Sequence, residues 1–217
     1  DPERADYEAI AVGPDQRLVS IRKTEDGVAT RVVRYDRLPG PGTLVAGNGT
    51  PDVCGDGGPG RDACLGVVTD LAVGGDTTIL ADVFAVTVRR IDRRGVITRI
   101  AGDGRGGSLD DSFPTCDDDP SATATCLKPP LEVAADRHGN VYVLEGIEYP
   151  LVEPYKRVRR VDASGRIETV VGGCRAPGPI TEVPARGACV GVEAIAIGPG
   201  GDLYVAEAPG ALQIVAL

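Results

Sequence analysis

The chain lacks tryptophan and methionine, and its 217 residues include only two phenylalanines, six tyrosines and one histidine. With so few aromatic side chains, any core must be mainly aliphatic. The single histidine, His138, lies in a turn between Asp136 and Asn140, which leaves no credible Ser-His-Asp or Cys-His catalytic arrangement. No run of about 18 apolar residues is present, so we expect no membrane insertion.

Sustained helical periodicity is also nearly absent, because 30 glycines and 17 prolines interrupt the chain. The short runs between them are rich in Val, Ile, Tyr and Thr, which is typical of strands. A net charge of −9 argues against nucleic-acid binding, which depends on Lys and Arg releasing phosphate counterions. We therefore expect an all-β protein with no nucleic-acid partner.

One module recurs along the chain. Three stretches, GTLVAG, VITRIAG and RIETVVG, end at Gly47, Gly102 and Gly172. Ahead of them, equivalent apolar runs start at residues 10, 71, 133 and 195, a step of 61 or 62 residues. Fixed self-similarity of this kind indicates stacked supersecondary units.

Each unit predicts a small antiparallel sheet of four short strands joined by turns. Such units arranged radially form a β-propeller. We predict a single domain over residues 1–217, with blades at about 1–47, 48–102, 103–172 and 173–217. The last blade is incomplete, because the chain ends in its third strand.

Several segments resemble the NHL-repeat family of β-propellers. They are residues 42–82, with LVAGNG, CGDGGP and LAD, residues 136–143, with DRHGNVYV, and residues 159–172, with RRVDASGRIETVVG. The resemblance implies a propeller fold over nearly the whole chain. It also implies a binding role more often than a catalytic one, since most members of that family bind proteins.

Six cysteines form pairs that follow the repeat. Cys54 and Cys64 are ten residues apart, as are Cys116 and Cys126, while Cys174 and Cys189 are fifteen apart. Each pair falls between the fourth strand of one repeat and the first strand of the next, which favours a disulfide within each loop over free thiols or a zinc site. Disulfides persist in oxidising compartments, so we expect a secreted or extracytoplasmic protein, from which any export signal or anchor has been removed.

Loop lengths predict which face binds a ligand. The cysteine-containing loops, about residues 48–66, 103–130 and 173–190, and an insertion at 146–156 emerge on one side, whereas the opposite side has tight turns. Tyr149 and Tyr155, flanked by prolines in the insertion, are candidate contacts for a protein or sugar.

Acidic residues end the second strands on the same side: Asp82, Glu145 and Glu207, with Ile21 at the corresponding place in the first repeat. Three carboxylates around an axis would suit calcium or a cationic ligand. The alternative is ion pairing within each repeat, Asp82 with Arg89 and Glu145 with Arg157 or Arg159. Glu207 has no downstream arginine, so this alternative does not explain it.

We therefore expect an exported, non-catalytic binding domain that recognises a protein, peptide or cell-surface ligand, with no catalytic residue and no required cofactor. The alternative is a calcium-dependent hydrolase or lactonase of the strictosidine-synthase-like kind, with its metal held by the three acids. The incomplete last blade could pair with residues 1–8, remain three-stranded, or form a homodimer.

Overall fold

The computed structural model describes residues 7–104, 118, 120–146, 156–173, 185–188, 191–207 and 211–215. Within these ranges the chain is made of β-strands, with one short 3-10 turn at Gly60–Asp62. In chain order the strands are β1 (Tyr7–Val12), β2 (Leu18–Lys23), β3 (Thr30–Tyr35), β4 (Thr43–Ala46), β5 (Val68–Gly74), β6 (Thr77–Asp82), β7 (Thr87–Ile91), β8 (Ile97–Ala101), β9 (Pro130–Ala135), β10 (Val141–Glu145), β11 (Arg157–Val161), β12 (Ile167–Gly172), β13 (Val192–Ile197), β14 (Leu203–Glu207) and β15 (Ala211–Val215).

The strands form four separate antiparallel sheets, each built from strands that are consecutive in sequence. The first three sheets have four strands, and the fourth has three within the described residues. The first strands of successive sheets contact one another, β1 with β5, β5 with β9 and β9 with β13. The sheets therefore radiate from a central row of first strands. This arrangement confirms the predicted β-propeller with an incomplete last blade, and we number the sheets as blades 1 to 4.

The core lies between successive blades and is aliphatic, as the composition requires. Ile21 and Val32 of blade 1 pack with Leu71 and Leu80 of blade 2. Equivalent clusters fill the spaces between blades 2 and 3 and between blades 3 and 4. Each blade therefore buries its faces against its neighbours, which is how short repeated sheets gain stability.

The recurring glycine at the end of each fourth strand has a structural reason. Gly47, Gly102 and Gly172 all have positive φ, a conformation that side-chain-bearing residues rarely adopt. A Cβ at Gly102 would also lie 2.5 Å from the carbonyl oxygen of Val86. The three glycine N–H groups donate to the carbonyl oxygens of Gly60, Ala122 and Ala185 in the loops that follow. These glycines let each inter-blade loop turn back onto its blade.

The strand register corrects one sequence assignment. Asp82 lies opposite Val68 across a bulge, and in blade 1 the residue opposite Tyr7 across the matching bulge is Arg22. Arg22, not Ile21, therefore holds the position of the acidic residues. The turn between the first two strands is one residue longer in blade 1, where Val12 pairs with Leu18, than in blade 2, where Val73 pairs with Thr78, so counting along the sequence from blade 2 misplaced the equivalence.

No helix in the described part of the chain is long and apolar enough to cross a membrane.

Candidate functional site

The candidate site is the end of the propeller from which the inter-blade loops emerge, which we call the long-loop face. The connections between second and third strands, at residues 24–29 and 83–86, emerge at this same end because the strands are antiparallel. The Cys54–Cys64 disulfide, predicted from the repeat, is present in the loop between blades 1 and 2.

Arg89 of blade 2 anchors this disulfide loop. Its side chain is fully buried. Its Nη1 donates to the carbonyl oxygen of Cys64 at 2.8 Å, and its Nη2 donates to that of Cys54 at 2.8 Å. Its Nε and Nη2 also lie 3.1 Å and 3.0 Å from Oδ1 of Asp56. One guanidinium group therefore ties both disulfide-bonded cysteines to the third strand of the following blade.

Asp82 lies beneath the same arginine. Its carboxylate is fully buried, with Oδ2 3.9 Å from Nη1 of Arg89, and its Oδ1 accepts a hydrogen bond from Ala85 N at 3.0 Å. Burial raises the pKa of Asp82 to about 6, and the nearby arginine offsets only part of that rise. This geometry matches the ion-pair alternative for Asp82, and it places the carboxylate under the loop rather than at an open mouth.

A similar arrangement of a buried arginine, an acid and a cysteine carbonyl occurs in blade 3. Arg159 is fully buried, and its Nη1 lies 3.3 Å from the carbonyl oxygen of Cys126 while its Nη2 lies 3.4 Å from Oδ1 of Asp118. Glu145, also fully buried, accepts from Nε of Arg157 at 2.5 Å and lies 3.9 Å from Arg159. Glu145 is therefore paired within its own blade, like Asp82.

Glu207, the third predicted acid, differs from the other two. It ends β14 at the equivalent register position, opposite Val192, and is only half-buried. In the described part of blade 4, no hydrogen bond or ion pair engages its carboxylate. It is the one predicted acid that remains available to a ligand.

The three predicted carboxylates do not come together as one calcium site within the described residues. Asp82 and Glu145 are buried beside arginines of their own blades, so a cation there would have to displace guanidinium groups. Within the described ranges, no three His, Cys, Asp or Glu side chains come together in a way that could hold a metal ion.

Several predicted residues lie outside the described ranges, namely Tyr149, Tyr155, Cys116, Cys174 and Cys189. Cys126 is described and is disulfide-bonded, and since Cys54 and Cys64 bond to each other, its partner is one of the undescribed cysteines. His138 lies on the opposite, tight-turn side with its side chain 62% exposed, away from the long-loop face.

Sequence reasoning missed two carboxylates on the central strands. Asp70 of blade 2 accepts a hydrogen bond from Val133 N of blade 3 at 2.9 Å, and Glu132 of blade 3 accepts from Ile195 N of blade 4 at 2.9 Å. Each acid therefore joins neighbouring blades next to the propeller axis. The sequence contained a sign of this role, because both acids directly precede the apolar residues that define the repeat.

Exposed apolar side chains also mark the long-loop face. Val28 and Phe84 belong to connections between second and third strands, and Val53 precedes the first cysteine of the disulfide loop; their exposures are 48%, 53% and 42%. A Cβ added at Gly66 would lie 2.6 Å from the Phe84 ring. The hydroxyl of Thr30, two residues after Val28, donates to the carbonyl oxygen of Gly66. Gly66 therefore brings the connections of blades 1 and 2 together on this face.

Three solved structures resemble this chain in fold. A structural genomics protein of unknown function from Bacteroides thetaiotaomicron matches with a TM-score of 0.60 and 17% identity, over 95% of this chain and 46% of that protein. The XC5397 gluconolactonase of Xanthomonas campestris matches with a TM-score of 0.53 and 16% identity, over 97% and 57%. An auxiliary nutrient binding protein from Bacteroides thetaiotaomicron matches with a TM-score of 0.57 and 13% identity, over 92% and 45%.

Neither a protein-family model nor a curated protein matches the sequence of this chain. At these low identities, the structural likeness shows a shared β-propeller fold. This chain spans about half the length of the three solved structures; the matched share of each is 46%, 57% and 45%, respectively.

Proposed function

We propose that this chain is an NHL-type propeller that acts as an exported, non-catalytic binding domain and recognises a protein, peptide or cell-surface ligand through its long-loop face. The observation that carries the proposal is the exposure of Val28, Val53 and Phe84 on that face, beside a loop held rigid by a disulfide and a buried arginine. Exposed apolar side chains on a rigid scaffold are typical of recognition surfaces.

The chemistry of the acids supports binding over catalysis. Asp82 and Glu145 are closed off from solvent and lie beside arginines of their own blades. A carboxylate in this position does not reach a substrate. The Cys54–Cys64 disulfide supports an oxidising compartment, and the structural neighbour named as an auxiliary nutrient binding protein is a precedent for binding by this fold.

The alternative function is a hydrolase or lactonase, favoured by the uncommitted carboxylate of Glu207 and by the gluconolactonase among the structural neighbours. The two proposals differ in their response to calcium. A rise in melting temperature with calcium that is abolished by Glu207→Ala would favour the enzyme, since a ligand of the folded state raises its stability.

Peptide selection on a displayed library tests the binding proposal. Phe84→Ala is expected to weaken selected peptides by about thirtyfold, the effect of removing one aromatic anchor. The matched control is Leu38→Ala, which removes an apolar side chain that is 65% exposed on the connection between third and fourth strands at the opposite end. Peptides that lose affinity with Leu38→Ala but not with Phe84→Ala would disprove recognition by the long-loop face.

A further inference from the structure

A crevice lies between blades 2 and 3 at the tight-turn end, away from the long-loop face. It has a volume of about 510 Å³. The turns at Gly74–Gly75, Asp136–Gly139 and Asp162–Gly165 form its rim, and Arg90 and Arg99 of blade 2 line its wall. Ligand sites for small molecules commonly have about 300 to 1,000 Å³. The crevice is therefore large enough for a small organic ligand.

Among the described residues, no acid lies within ion-pair distance of the two arginines in this crevice, although the charge of Asp92 acts on Arg90. In the described ranges, neither Arg90 nor Arg99 takes part in a hydrogen bond or an ion pair. The crevice acids, Asp136 and Asp162, are committed to their own turns. Asp136 accepts hydrogen bonds from His138 N and from the backbone and side chain of Asn140, and Asp162 accepts from the backbone N–H groups of residues 164 and 166.

The neighbouring repeats provide an internal comparison for Arg90. Arg160 occupies its position in blade 3 and pairs with Glu168 on the adjacent strand. In blade 1, Arg34 lies 3.5 Å from Asp36. In blade 2 the residue opposite Arg90 is Thr98, where blade 3 has Glu168. Arg90 thus lacks the cross-strand acid of blade 3, and Asp92, the counterpart of Asp36, acts on it through its charge without forming an ion pair within 4 Å.

A second difference adds charge to the same crevice. Arg99 lies opposite Arg89, and the corresponding residue in blade 3, opposite Arg159, is Thr169. Relative to blade 3, the outermost strand of blade 2 therefore loses one negative charge and gains one positive charge. The corresponding crevice between blades 1 and 2 has a volume of only about 160 Å³, and its Arg34 and Arg17 both face Asp36. In the described ranges, the larger crevice contains Arg90 and Arg99 without an ion-pair partner, whereas the smaller crevice contains one such arginine, Arg93.

We propose that the crevice between blades 2 and 3 binds a small organic anion through a carboxylate or phosphate group held by Arg90 and Arg99. Guanidinium groups bind these planar or tetrahedral oxyanions with charge-assisted, often bidentate hydrogen bonds. The turns at the rim supply Ser164 and backbone groups for the rest of the ligand. This site is separate from the long-loop face, so the proposal of an anion site does not depend on the proposed function.

Isothermal titration with phosphate and with citrate, at constant ionic strength set by chloride, tests this proposal. The key variant is Thr98→Glu, which places opposite Arg90 the carboxylate that Arg160 has in blade 3. It keeps both arginines but neutralises one, and affinity for the preferred anion is expected to fall about tenfold or more. Arg99→Thr, the residue of blade 3, is expected to have an effect of similar size. Comparing phosphate with citrate identifies which oxyanion the crevice prefers.

The matched control is Arg94→Thr, which removes one positive charge from an exposed turn of the same blade that lines neither crevice. Its affinity is expected to stay within about twofold of the unmodified chain, because separated surface charges are screened by salt. Equal losses in all three variants would show a non-specific charge effect and overturn the proposal. Absence of saturable binding of either anion to the unmodified chain would also overturn it.

Discussion

Replacing Arg89 with methionine tests whether a buried arginine holds the disulfide loop to blade 2. Methionine fills a similar volume but supplies no donors, so the carbonyl oxygens of Cys54 and Cys64 lose their partner at 2.8 Å. Each buried acceptor left unpaired costs about 1 to 2 kcal/mol of unfolding free energy. The loss from these two groups is therefore about 2 to 4 kcal/mol.

The two carboxylates add less to this loss. Asp82 becomes a buried charge without a cation, but its pKa is already about 6. Taking up a proton at neutral pH limits its contribution to about 1 kcal/mol. Asp56 is 39% exposed and can regain water, so its share is under about 1 kcal/mol. The expected total is about 3 to 6 kcal/mol, which is close to the cost of breaking a buried ion pair.

Urea unfolding followed by far-ultraviolet circular dichroism, with the disulfides intact, measures this loss. The matched control is Arg90→Met, the next residue on the same strand, which is exposed and has no partner within the described residues. The control is expected to change the unfolding free energy by less than about 0.5 kcal/mol. A difference between the two variants of less than about 1 kcal/mol would refute the role assigned to Arg89.

Two further predictions concern Asp82 and Gly102. Because burial raises the folded-state pKa of Asp82 to about 6 from 3.8, the folded protein binds the extra proton and loses stability as pH rises from about 4 to about 6. The Asp82→Asn variant lacks this titration. Measured by denaturant titration, its unfolding free energy relative to that of the unmodified chain should therefore rise by about 2 to 3 kcal/mol between about pH 4 and about pH 6. A difference between the two proteins that does not change with pH would contradict the raised pKa of Asp82. Gly102→Ala should lower the unfolding free energy by about 2 to 4 kcal/mol, because its φ is positive and the new Cβ would meet the Val86 carbonyl oxygen. The control Gly75→Ala also has a positive φ but places its Cβ in open space, so it should lower the unfolding free energy by only about 1 kcal/mol. Equal losses in the two variants would exclude a role for the Val86 contact.

The repeat made the fold predictable from the sequence. The spacing of the apolar runs and the glycines at 47, 102 and 172 identified the blades, because a positive-φ turn at a fixed place in each unit tolerates few other residues. The pairing of Cys54 with Cys64 followed from the same register. These features depend on local geometry, which repeats with the sequence.

The site was less predictable, because it depends on which neighbours surround each charge. The sequence offered two interpretations of Asp82 and Glu145, and only packing showed that both are buried beside arginines. Asp70 and Glu132 were overlooked because their partners, Val133 N and Ile195 N, lie about one repeat away in the chain. The lack of an acid opposite Arg90 likewise became visible only when the strand register placed Thr98 there.

The sequence by itself determined the repeat, the all-β architecture, the aliphatic core and the local disulfide, since each follows from residue type and spacing. Tertiary structure alone decided which partner each charge has, because strand register sets the neighbours within a blade and the stacking of blades sets those between repeats. It placed Asp82 and Glu145 beside arginines of their own blades, let Asp70 and Glu132 join neighbouring blades, and left Arg90 and Arg99 without an ion-pair partner among the described residues of the crevice between blades 2 and 3.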